Sequence, residues 1–173
     1  MLVKMIVEIV IMWACFVLFM WILVGRGRGP VGGIQYAPEQ VQKRVTECGL
    51  ITQEHIRKQR ICASVLLILM DIIVPFMMIY LINGGRSWWA FVWQWCVLIM
   101  GQELFDWFAV DIYWVCYTDW WNIPEARDLE YLWRDPKTMK KKCRKKYIMV
   151  YMSLPVLALI IGSLCYGISL LIR

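Results

Sequence analysis

The sequence predicts an all-α membrane protein: four transmembrane helices in a bundle, with short cytoplasmic helices in the two long loops. Three observations carry this expectation. Of 173 residues, 61% are hydrophobic and mean hydropathy is +0.56, whereas a soluble domain is roughly 45–50% apolar. Four apolar runs, about 2–24, 61–82, 88–115 and 147–172, each match the roughly 20 helical residues that cross a bilayer. Sixteen of the 19 Lys and Arg lie in the two long segments between runs, seven in 25–60 and nine in 118–146. A bias of this kind marks cytoplasmic loops. The chain therefore reads as a single polytopic domain over 1–173, multi-pass in the cell membrane. Both termini are expected outside, and both long loops, about 25–60 and 116–146, in the cytoplasm.

The first run, Leu2 to Val24, carries Lys4 and Glu8 near its outer end. It is longer than a signal-peptide core, its positive charges follow rather than precede it, and no small-residue cleavage site stands before Arg26. A retained span is therefore expected. Gly25 to Gly33, GRGRGPVGG, has five glycines and a proline, which preclude a regular helix. Such backbone is either a flexible juncture or, with Arg26 and Arg28, a cradle for a phosphate or lipid headgroup. The GKS/T ending of a P-loop is missing.

Pro38 to Cys48 reads as a short cytoplasmic helix, with proline in its first turn and Gly49 at its stop. Thr52 can cap a second helix beginning near Gln53. His55, the one histidine, lies on its first turn with Arg57, Lys58 and Arg60 nearby. It reads as polar surface, the sharper alternative being acid–base work at the membrane surface. The second span, 61–82, holds Asp71 at its middle and Pro75 one turn later. Proline has no N–H, so the carbonyl of Asp71 loses its helical partner and a bend is expected there. Asn83, Gly84, Gly85, Arg86 and Ser87 make an outer turn. Trp88, Trp89, Trp93 and Trp95 open the third span, and Trp114, Trp120 and Trp121 close it, in the manner of interfacial aromatic belts.

In the second basic loop, Pro124 opens a short helix with Glu125 and Asp128 in its favoured first turns. Arg57 and Arg127 are further candidates for phosphate or headgroup contact, and the KKKCRKK cluster suits anionic lipid. The last span, 147–172, carries Pro155. A weak internal echo at an offset of 86 residues relates Pro38 to Pro124. The same offset relates Arg60 to Lys146, the last basic residues before the second and fourth spans. The seven cysteines show no CxxC spacing and no neighbouring histidine, so they are expected as free thiols and apolar fillers. The net charge of +6 is read as topology and attraction to anionic headgroups. No nucleic-acid-binding motif is present. The expected partners are membrane lipid and a second copy or a membrane partner subunit.

The candidate site is acidic. Glu103, Asp106 and Asp111 lie in the third span and Asp71 in the second. An ionised acid at a helix centre costs roughly 2.5–3.5 kcal/mol on insertion scales, and such groups by default mark a functional site. At α-helical spacing Glu103 and Asp106 share a face. Glu103, Trp107, Asp111 and Trp114 form a stripe of acids with an aromatic lining. The five-residue turn makes the two spans antiparallel and brings Asp71 to about the depth of Glu103. No Lys, Arg or His stands in the middle of a span, so the acids lack an internal counter-ion, unless Arg57, Arg60 or Arg127 folds in from the rim. They are then neutral by protonation, bind a divalent or monovalent cation (with Glu103 and Asp106 as candidate metal ligands), or face an organic cation assisted by tryptophan. Cation or proton handling by a transporter, a channel or a subunit of one is the first expectation. An interfacial enzyme acting on a lipid-linked substrate, and a non-catalytic scaffold, are the alternatives.

Overall fold

The computed structural model describes residues 2–25 and 29–172, and among them every regular element is helical. Helix α1 is Leu2–Gly25, followed by a 3-10 segment Gly29–Tyr36. Helix α2 is Glu39–Glu47, and α3 is Gln53–Met77, continued by a π-helical turn Met78–Ile82. Helix α4 is Trp88–Phe105; a π-helix Asp106–Trp114 and the short α5, Val115–Tyr117, continue it as one rod. Two 3-10 segments, Asp119–Trp121 and Pro124–Leu132, lead to α6, Pro136–Ile172.

The expected start and stop signals operate. Thr52 caps α3 by accepting the His55 N–H at 3.3 Å. Gly49 takes φ +73° just beyond α2, and Gly84 takes φ +60° in the outer turn, backbone that residues with a Cβ resist. Ser87 caps α4 through the Ala90 N–H at 3.3 Å. Arg134 serves the other end of that rod, donating to the carbonyls of Val115 at 3.3 Å and Thr118 at 2.8 Å while paired with Glu130 at 2.7 Å.

Three helices are long and apolar enough to cross a membrane: Val3–Ile22, Gln53–Ile82 and Pro136–Ile172. The rod from Trp88 to Tyr117 does not meet that measure, being richer in tryptophan and glutamine and interrupted by the π segment. It is nevertheless the centre of the molecule, packed against α1, α3 and α6. Glycine permits this. A Cβ on Gly162 of α6 would come within 2.8 Å of the Val92 backbone, and one on Gly101 within 2.9 Å of Ile9. Close backbone approach at small residues is how helices associate where lipid removes the hydrophobic drive.

The solvation pattern is inverted relative to a water-soluble protein. Val3 is 74% exposed and Leu171 88%, while Glu8, Gln94 and Gln102 are buried. Large continuous apolar surface marks a face made for lipid or a partner. Two apolar clusters fill the interior. One, at the basic-loop end, includes Phe16, Met20, Ile34, Trp121, Trp133 and Tyr147. The other, toward the outer turn, includes Met12, Ile79, Phe91, Leu98, Leu154 and Ala158.

Several expectations need correcting. The last helix begins at Pro136, not Tyr147, so the basic cluster is helical. Asp135 starts it, accepting the Thr138 N–H at 2.7 Å; the Thr138 hydroxyl and that N–H hold the Asp135 carboxyl below its usual range. Lysine, arginine and methionine are good helix formers, so nothing between the cap and the apolar run interrupts the helix. The glycine-rich segment is a packed element and not a loose juncture. Gly32 and Gly33 are buried, and Cβ atoms there would fall 2.8 Å from the Val24 carbonyl and 2.6 Å from the Trp121 ring. Arg26 and Arg28, and with them the expected headgroup cradle, lie outside the described residues. Trp95 and Trp121 are core residues, 3% and 2% exposed, and belong to no interfacial belt.

Candidate functional site

The acids gather because the rod changes its winding. Asp106 and Asp111 are five residues apart. At about 100° per residue an α-helix would set them roughly 140° apart. From Asp106 to Trp114 the rod is a π-helix, whose i→i+5 bonding stacks residues five apart. Both carboxylates therefore face α6, where Tyr147 meets them. The Tyr147 hydroxyl lies 2.6 Å from Asp106 Oδ2 and 3.2 Å from Asp111 Oδ2. A phenol has one proton to donate; the shorter distance assigns it to Asp106. Asp111 keeps the Cys143 thiol at 3.5 Å. The stripe expected from α spacing is thereby replaced: Asp111 pairs with Asp106, not with Glu103.

The counter-ion absent from the sequence reading is Lys146. Its Nζ is 3.4 Å from Asp106 Oδ2 and 3.5 Å from Asp111 Oδ2, and 4.6 Å from the Tyr147 ring centre. Lys146 had been counted as the last charge of a loop. On a helix that starts at Pro136 it stands beside Tyr147, at the mouth of the acidic site. Arg57 and Arg127 are exposed, and Arg60 donates to Gln42 at 3.2 Å; none of the three lines the cavity described next.

A cavity of about 260 Å³ opens beside this cluster. All four predicted acids, Asp71, Glu103, Asp106 and Asp111, line it, together with Gln102 and Lys146. Its apolar wall comes from α1 (Phe16, Met20), α3 (Leu67, Met70) and Trp121. Tyr36 also lines it, which sets it at the basic-loop end. Trp107 and Trp114, the predicted aromatic lining, stand behind it: Trp107 stacks on Tyr147 at 5.1 Å and Trp114 meets Trp121 edge-on at 5.3 Å.

The acids fall into two pairs by their partners. Asp106 and Asp111 are held by Tyr147 and Lys146. Among the described residues no hydrogen-bond donor reaches the side-chain carboxylates of Asp71 or Glu103. Asp71 has its backbone provided for: the carbonyl that Pro75 leaves without a helical partner accepts the Trp95 indole N–H at 2.9 Å. Gln102 was not singled out from the sequence. It is 3% exposed, and neither its Oε1 nor its Nε2 has a partner among the described residues. Nor do three His, Cys, Asp or Glu side chains come together there as a metal-holding group.

Outside the cavity, Glu8 is 2% exposed. The Asn83 amide donates to it at 3.0 Å and to Gln94 at 2.8 Å, tying α1, the outer turn and α4 together at the opposite end. Comparison of the chain with protein-family models, with curated proteins and with solved structures finds no match.

Proposed function

We propose that this chain is a multi-pass membrane protein, crossing the bilayer four times, that binds a cation in the cavity at its basic-loop end. It handles that cation, or a proton exchanged for it, as a transporter, a channel or a subunit of one. The observation that carries the reading is the charge of the cavity wall: four carboxylates against the single ammonium of Lys146. Lys146 is engaged with Asp106 and Asp111. Asp71 and Glu103 remain, in a site walled by apolar side chains. An unpaired carboxylate is expensive in such surroundings, and a bound cation or a proton relieves it.

The central position of the Trp88–Tyr117 rod, packed against all three apolar helices, supports counting it as the third crossing. Shielded from lipid by its neighbours, it can afford glutamines and acids. The bias of Lys and Arg to 25–60 and 118–146 supports a cytoplasmic side for the cavity mouth.

The test is thermal unfolding of purified protein in detergent, across pH and with sodium, potassium, magnesium, calcium and organic ammonium salts. At least one cation is expected to raise the midpoint of the wild type. That gain should fade on acidification, because protons compete for the same oxygens, and should vanish in Glu103→Gln. A flat response to every cation, identical in both proteins, refutes cation binding.

A further inference from the structure

The cavity has a feature that a simple cation site does not require. Gln102 is 3% exposed, lines the cavity and leaves both its amide oxygen and its amide nitrogen unpartnered among the described residues. Buried amides are nearly always hydrogen-bonded, and each exception calls for a reason. A ligand that brings a donor and an acceptor to Gln102 supplies one.

The space and the walls point the same way. At about 30 Å³ per water molecule, the 260 Å³ of the cavity far exceeds a bare ion. A hydrated ion would be pressed against Phe16, Leu67, Met70 and Trp121. A divalent metal would need six to eight oxygens close together, for calcium, or near-octahedral geometry, for magnesium, and no three metal-ligating side chains converge. Small-molecule sites are concave, mostly apolar and fitted with a few placed polar groups. This cavity matches that description.

Resting on the cation-site reading above, we propose that the ligand is an organic monocation. Glu103 and Asp71 hold its protonated amine, Gln102 pairs with an amide or hydroxyl group on the same molecule, and its apolar body lies against the aromatic and aliphatic wall. Glu103 and Asp71 confer charge selection; Gln102 confers selection among cations. Lys146, paired with Asp106 and Asp111, guards the mouth and repels a second positive charge, which favours monocations over dications.

The experiment compares two monoamines of similar size in the full-length protein in detergent. N-(2-aminoethyl)benzamide carries an amide; 4-phenylbutylamine does not. Binding is measured by isothermal titration and by the shift in unfolding midpoint, against sodium, potassium, magnesium and calcium chlorides. The amide-bearing amine is expected to bind wild type about tenfold more tightly than the plain amine, the worth of one or two hydrogen bonds. Gln102→Leu should erase that preference while leaving 4-phenylbutylamine binding within about twofold. It should also raise the midpoint of the ligand-free protein, because a buried unpaired amide is removed. Gln102→Met, unbranched and of similar volume, repeats the test should leucine fit badly. Glu103→Gln should weaken both amines. Equal binding of the two amines, or a preference that survives both Gln102 variants, overturns the role of Gln102. Stabilisation by an inorganic cation alone, lost in Glu103→Gln, overturns the organic ligand but leaves the cation site standing. No response to any cation removes both.

Discussion

Tyr147 is fully buried, and one hydroxyl serves two carboxylates on a facing helix. Removing it leaves Asp106 with Lys146 alone, in a site largely closed to water. Tyr147→Phe keeps the ring stacked on Trp107 and should cost about 1–3 kcal/mol of stability, the range for stranding a buried polar group. A double-mutant cycle with Asp106→Asn should show a coupling above about 0.5 kcal/mol, read from unfolding in detergent. Strict additivity would mean that the 2.6 Å contact contributes nothing. The acids themselves were legible in the sequence, because charge in an apolar run stands out. Their partners were not. Tyr147 read as the first apolar residue of a span and Lys146 as the last charge of a loop, since spacing along one helix says nothing of what a neighbouring helix presents. Gln102 was hidden by being neutral. Trp95 looked interfacial by its place near a span end, although its indole was the donor that the carbonyl freed by Pro75 required.

The π-helix from Asp106 to Trp114 is the element least visible beforehand. No glycine or proline marks it, and a 3.6-residue period assigned Asp111 to the face of Glu103. Helix starts and stops were legible at Thr52, Gly49 and Pro124, where a residue has a local task. The Asp135–Pro136 start was equally present but was overridden by reading the lysines after it as loop. The π winding has a direct consequence. Phe108 is exposed, and its deletion shortens the π segment by one residue while sparing both aspartates. Should the rod return to α winding, Asp106 and Asp111 would be four apart and still on one side of the helix, but everything beyond the deletion would turn by about 100°. Trp114 should then lose its contact with Trp121, and Arg134 its carbonyls. The expected outcome is a folded helical protein with a lowered midpoint, in which Tyr147→Phe still couples to Asp106→Asn but Arg134→Ala, damaging in the parent, has become nearly silent. An Arg134→Ala effect as large in the deletion as in the parent would show that the winding does not set the end of the rod.

At the level of the molecule, polarity is arranged by the surrounding solvent. Lipid-facing surfaces of α1, α3 and α6 are apolar, the interior holds glutamines and carboxylates, and the basic charge collects at one end, where Arg44 and Asp128 pair at 3.1 Å across the two long loops. Composition made this much legible, because hydropathy and loop charge report on the membrane directly. The rod from Trp88 to Tyr117 was harder, since a helix enclosed by others need not be apolar. The charge distribution makes a further prediction about the side on which the cavity opens. With seven Lys and Arg in 25–60, nine in 118–146 and only Arg86 in the turn between α3 and α4, the long loops should be retained in the cytoplasm and the turn exported. Cys48 is exposed in the first long loop, and Arg86 is exposed in the turn. In a chain whose other cysteines are replaced, a membrane-impermeant maleimide on intact cells should label Arg86→Cys and spare Cys48, and Cys48 should react once the membrane is opened. Labelling of Cys48 on intact cells, with Arg86→Cys protected, would invert the protein and turn the mouth of the acidic cavity to the outside.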